Sequence, residues 1–116
     1  MYNPSMQKVV EDAINLLITA LNKHFDDFHG LYLHGIFTDG KQHKDKDIEL
    51  VAIFDCEDRF KREIIWPIVG KIETELGVFI DFHPITMSEL EKDEEFYDDV
   101  VNQGVFFDVK GRIQAK

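Results

Sequence analysis

The strongest constraint on how this 116-residue chain can fold is a change of hydrophobic period between Asp47 and His83. From Asp47 to Phe54 the residues alternate, with Ile48, Leu50, Ala52 and Phe54 on one side and Asp47, Glu49, Val51 and Ile53 on the other. That is the period of a strand. Phe60, Ile64, Ile68, Ile72 and Leu76 then recur every four residues, the stripe of a helix that buries one side. Asp58 stands where a cap belongs, Gly77 supplies a stop, and Pro67 marks a point where the helix can kink. Val78 to His83 returns to a strand, which Pro84 is expected to end. Strand, helix and strand in so short a span require a layered α/β arrangement.

The flanking segments extend this plan. Asn3 can cap a helix that begins at Pro4 and carries Val9, Ala13, Leu17 and Leu21, widened by Val10 and Ile14, to about Phe25. Leu31 to Ile36, bounded by Gly30 and Gly35, reads as a short buried strand, and Phe37 to Lys46 as a polar loop. Ser88 with Glu91 forms a capping-box pattern, so a third helix is expected from about Glu89 to Asn102, ended by Gly104. Val105 to Val109 reads as a short edge strand. The expectation is an α/β fold in which a mixed sheet of three to four strands packs against about three helices. No linker, repeat or low-complexity stretch divides residues 1–116, so one domain is expected.

Charge narrows the partners. Lys and Arg number 13 against 23 Asp and Glu, a formal charge of −10, the wrong field for clamping a nucleic-acid polymer. Cys56 is the sole cysteine, which rules out an internal disulfide and fits a reducing cytoplasm, where it reads as a structural thiol. The N-terminus lacks the basic segment of a leader, and no apolar run approaches the roughly 18 residues of a membrane span. A soluble cytoplasmic protein without a membrane partner is expected. Phe106 and Phe107 are adjacent, so on a strand they face opposite sides; one of them is then available to anchor a partner or a homodimer, unless the helices cover both.

The acids carry the chemistry. On a strand, Asp47 and Glu49 share one face about 7 Å apart, within reach of one divalent cation. Asp81 lies mid-strand between Ile80 and Phe82, and a carboxylate there needs solvent, a cation or a donor. Three acids converging at the end of a sheet make a two-metal site for phosphoryl chemistry. The same pattern also describes the wet face of an antiparallel sheet in an acidic protein. His34 and His83 sit at strand ends nearby but carry no motif, and are set aside as ordinary hydrogen-bonding residues.

Gly35, Ile36, ten residues, then Asp47, Ile48, Glu49 resembles the signature of the minimal nucleotidyltransferases, small members of the DNA polymerase β superfamily. That signature is Gly, Ser, ten residues, Asp, any residue, Asp, with a third Asp on a later strand, the place of Asp81 here. Gly40 falls where the family keeps a second glycine, and Glu94 to Phe107 is similar to its closing helix and turn. The chain departs from the pattern in three respects. Ile36 replaces the serine and cannot donate a hydrogen bond; Glu49 is one methylene longer than aspartate; Phe37, Thr38 and Asp39 stand where a basic residue is common. Lys41, Lys44 and Lys46, with His43, offer positive charge from the same loop or are a solvated loop.

The resemblance implies a small polymerase β-like fold and transfer of a nucleoside monophosphate from a nucleoside triphosphate, ATP first among them, to an acceptor hydroxyl. It places Asp47, Glu49 and Asp81 as catalytic and metal-binding residues for Mg²⁺ or Mn²⁺. Gly35, Ile36, Gly40 and Lys44 fall at the nucleotide. A chain this short leaves little room for an acceptor pocket, which favours a partner protein as acceptor, and the family implies a helical HEPN-type toxin. The alternative is a catalytically degenerate module of the same fold, acting as an antitoxin-like binding partner.

Overall fold

In a computed structural model, residues 4–35 and 47–114 are described, with side chains from residue 8 of the first helix. The helix α1 spans Pro4–His24, followed by β1, Phe28–His34. β2, Ile48–Phe54, leads into α2, Arg59–Leu76, and then β3, Ile80–Thr86. Two short helices follow, α3 at Met87–Lys92 and α4 at Glu94–Tyr97, then a π-helical turn at Asp98–Asn102. β4, Val105–Phe107, and β5, Ile113–Gln114, complete the fold. The chain is α/β as expected, with five strands rather than three or four. No helix among the described residues is long and apolar enough to cross a membrane.

The strands lie in the order β3-β2-β1-β4-β5. β2 and β3 run parallel and are joined by α2, while β1 pairs antiparallel with both β2 and β4. The period-two reading of β2 holds on both faces. Ile48, Leu50, Ala52 and Phe54 join Leu31, Leu33, Ile80, Phe82 and Phe107 beneath α1 and α2. Each fully buried Leu or Ile side chain there contributes about 2 kcal/mol by leaving water. On the opposite face Val51 and Ile53 pack with Leu90 and Val100 of the C-terminal helical segment. That segment leaves Asp81 of β3 exposed and Glu49 of β2 half-buried.

Several boundaries follow local chemistry. Asp58 caps α2, accepting from Lys61 N at 2.8 Å, and Gly77 closes it in the left-handed conformation at φ 66°. α2 continues through Pro67 without a break in the assignment. β3 begins later than expected and runs past Pro84 to Thr86. It is an outer strand of the sheet, where a residue lacking N–H is tolerated. The expected third helix is divided because Asp93 ends α3 and caps α4 with its own carboxylate, accepting from Phe96 N at 3.0 Å. Thr86, rather than Ser88, caps α3. β4 is shorter than expected and is not an edge, since β5 pairs with it. Phe107 is buried, and Phe106 is half-buried against Tyr32 at 4.7 Å between ring centres.

A charged knot fastens the far end of the sheet. Lys61 is 8% exposed, and its Nζ donates to Asp27 Oδ2 at 2.6 Å and to the Cys56 carbonyl at 2.7 Å, over the Phe54 ring at 4.4 Å. The Cys56 N–H also donates to Asp27 Oδ2, at 3.2 Å. Burial pushes the Asp27 carboxyl up, but Lys61 and the Cys56 N–H outweigh it and hold Asp27 below its ordinary value. Cys56 itself is an exposed free thiol.

Candidate active site

Strand register assembles the site. Glu49 of β2 pairs with His34 of β1 on one side and with Asp81 of β3 on the other. Alternation puts all three on the sheet face that carries Val51 and Ile53, with His83 two residues beyond Asp81. Asp47 immediately precedes β2, exposed, and shares the parity of Glu49. Asp81 is exposed and Glu49 half-buried. The two carboxylates that sequence spacing could relate only through α2 therefore stand on adjacent strands in direct register.

Gly35 closes the site from β1. Its backbone is in the left-handed region at φ 79°, and a Cβ there would fall 1.8 Å from Glu49 Oε2. The backbone angle favours glycine, and the Glu49 carboxylate lies where a side chain would begin. Ile36, Gly40 and Lys44, assigned to the nucleotide from the sequence, lie outside the described residues.

The inner wall is aromatic. Phe96 of α4 lies edge-on to His34 at 5.7 Å and tilted against His83 at 5.4 Å. Burial holds the His34 imidazole below its ordinary value; Glu49, Asp81 and Asp99 pull the other way, while His83 adds to the lowering. His34 is thus mainly neutral at pH 7. Sequence reasoning set both histidines aside and missed Phe96 and Asp99. The parity shared by His34, Glu49, Asp81 and His83 was readable; the pairing of β1 with β2 that makes it meaningful was not.

Among the described residues, no group of three or more His, Cys, Asp or Glu side chains is close enough to hold a metal ion. Glu49 and Asp81 stand in register on adjacent strands, and carboxylate oxygens are the donor class that Mg²⁺ and Mn²⁺ take. A cleft of about 550 Å³, lined by Asp55, Cys56, Glu57, His83, Thr86 and Glu89, opens from His83 toward the other end of β2 and β3.

No protein-family model and no curated protein matches the chain. Solved structures do. A chain of the toxin–antitoxin MntA–HpeT, in a crystal structure with two aspartate-to-glutamate changes, superposes with a TM-score of 0.59 at 24% identity, over 79% of this chain and 69% of that one. A toxin–antitoxin structure with AMP-PNP gives 0.59 at 24% identity, over 84% and 73%. An MntA–HpeT structure with a tyrosine-to-alanine change gives 0.58 at 23%, over 80% and 69%. The likeness is one of fold: the chain shares the mixed α/β architecture of those toxin–antitoxin chains.

Proposed function

We propose that the chain transfers a nucleoside monophosphate from a nucleoside triphosphate, ATP first among them, to a hydroxyl group on a partner protein. The observation that carries this reading is the direct register of Glu49 with Asp81 on parallel strands, with Asp47 of like parity beside them and Gly35 shaped around the Glu49 carboxylate. The toxin–antitoxin structures of the same fold, one of them with AMP-PNP, support a protein partner and a nucleotide.

Asp47, Glu49 and Asp81 would hold Mg²⁺. Bound there, the cation would neutralise charge on the triphosphate oxygens. Asp81, exposed on β3, would accept the proton of the acceptor hydroxyl as its oxygen attacks the α-phosphorus. The bond from that phosphorus to the bridging oxygen breaks, and pyrophosphate leaves. Gly35 would let the backbone approach the phosphates, with Ile36, Gly40 and Lys44 contributing from the same loop. The work of the protein is positional and electrostatic.

Calorimetric titration of ATP with and without Mg²⁺, on the wild type and on Asp47→Asn with Glu49→Gln, tests the reading. Mg²⁺-dependent binding that weakens on the order of 100-fold in the double variant, about 2.7 kcal/mol, is the expected result. A folded wild type that binds no nucleoside triphosphate overturns it. A second reading, a degenerate antitoxin-like module that binds a helical HEPN-type partner, is favoured by Phe96, which packs its ring onto His34 and His83 on the acid-bearing face. In that case the partner binds the double variant as tightly as the wild type, and neither form turns over nucleotide.

A further inference from the structure

Phe79 is 74% exposed, and its place in the fold is unlike that of the other exposed apolar side chains. Phe60, Ile64 and Trp66 lie on α2, Leu16 on α1 and Ile113 on β5. Single exposed apolar residues of that kind are ordinary. Phe79 instead precedes β3, and its carbonyl accepts from Ile48 N at 2.9 Å, which fixes its backbone beside the start of β2. The register that pairs Ile48 with Ile80 places Phe79 next to Asp47. Its flanking residues Val78 and Ile80 pack into the core beneath α1 and α2, so alternation turns Phe79 to the opposite side, that of Asp81.

The acid-bearing face thus has rings at both ends. At the inner end, His34 and His83 each pack on Phe96. At the outer end stands Phe79, two residues from Asp81, about 7 Å along the strand. A ribose spans a distance of that order between phosphate and base. We infer that Phe79 is the stacking platform for the nucleobase of the nucleoside triphosphate, a positioning and specificity-determining residue; the inference rests on the nucleotidyltransferase reading above. Stacking tolerates any base because every base has a π-face, and the larger purine surface gains more. The site then prefers purine to pyrimidine nucleotides through contact area rather than through hydrogen bonds.

The test is calorimetry with ATP, CTP and inorganic tripolyphosphate, each with Mg²⁺, on the wild type, Phe79→Ala and Phe79→Trp. The wild type is expected to bind ATP more tightly than CTP, and both more tightly than tripolyphosphate. Phe79→Ala should lose roughly 10-fold for ATP, about 1.4 kcal/mol, and close the gap to CTP, with tripolyphosphate binding unchanged. Phe79→Trp should keep the purine preference. Thermal melting of Phe79→Ala should match the wild type, because the side chain is largely exposed. Unchanged ATP binding in Phe79→Ala, or an equal loss for tripolyphosphate, overturns the platform while leaving the transferase reading intact. A folded wild type that binds neither ATP nor tripolyphosphate overturns both.

Discussion

Gly35 shows how much one residue can fix. Its left-handed backbone makes Gly35→Ala costly, and the added Cβ, 1.8 Å from Glu49 Oε2, would push that carboxylate aside. The strained angle should lower stability by about 1 to 3 kcal/mol in urea unfolding. Displacement of the Glu49 carboxylate should also remove Mg²⁺-dependent ATP binding; retained binding would show that the contact does not shape the site. The shared face of Asp47 and Glu49 is legible from spacing because strand parity is local. His34 was not, since a lone histidine has no pattern until register places it beside Glu49. Lys61 was equally hidden, because Asp27, its partner, is 34 residues away. Removing Asp27 leaves a buried ammonium without its carboxylate, so Asp27→Asn should cost about 3 kcal/mol near pH 7. Asp27 has a folded pKa below its unfolded value of 3.8. Its contribution is therefore complete above the unfolded value and is lost as pH falls through the folded one. Wild type and Asp27→Asn should accordingly converge in stability as unfolding is followed from about pH 6 down to about pH 2, and parallel curves would argue against this assignment.

At the scale of elements, side-chain caps decided what periodicity left open. The capping-box pattern of Ser88 and Glu91 and the stop at Gly104 predict one helix from Glu89 to Asn102, whereas Asp93 divides it and the chain turns through α4 into a π-helical turn. This division carries Phe96 over the histidines. Gly104, expected to end the helix, does more: a Cβ would lie 2.2 Å from the Val100 carbonyl oxygen and 2.8 Å from that of Leu33. Both obstacles are backbone and cannot move aside as a side chain can. Gly104→Ala should thus separate the π-helical turn from β1, lowering stability by about 1 to 3 kcal/mol and the melting midpoint by several degrees. An unchanged midpoint would mean that the turn relaxes without cost. The added strand β5 went unread because two residues, Ile113 and Gln114, carry no period. Pro84 was read as a stop, yet an outer strand accommodates it.

Across the whole molecule, the sheet separates two tasks. One face, under α1 and α2, is the apolar core; on the other the C-terminal segment packs over Val51, Ile53 and the histidines, while Asp47, Phe79 and Asp81 stay exposed. The sequence by itself determined the α/β class, the two long helices, the central strands and the three carboxylates, because the period of an element and the solubility of a charge are properties of neighbours along the chain. Only the tertiary structure decided which strands lie side by side, and with that the register of His34, Glu49 and Asp81, the roof made by Phe96 and the burial of Lys61. Pairing between distant strands is selected by the fit of whole apolar faces and by hydrogen bonds between segments far apart, and no local pattern encodes it.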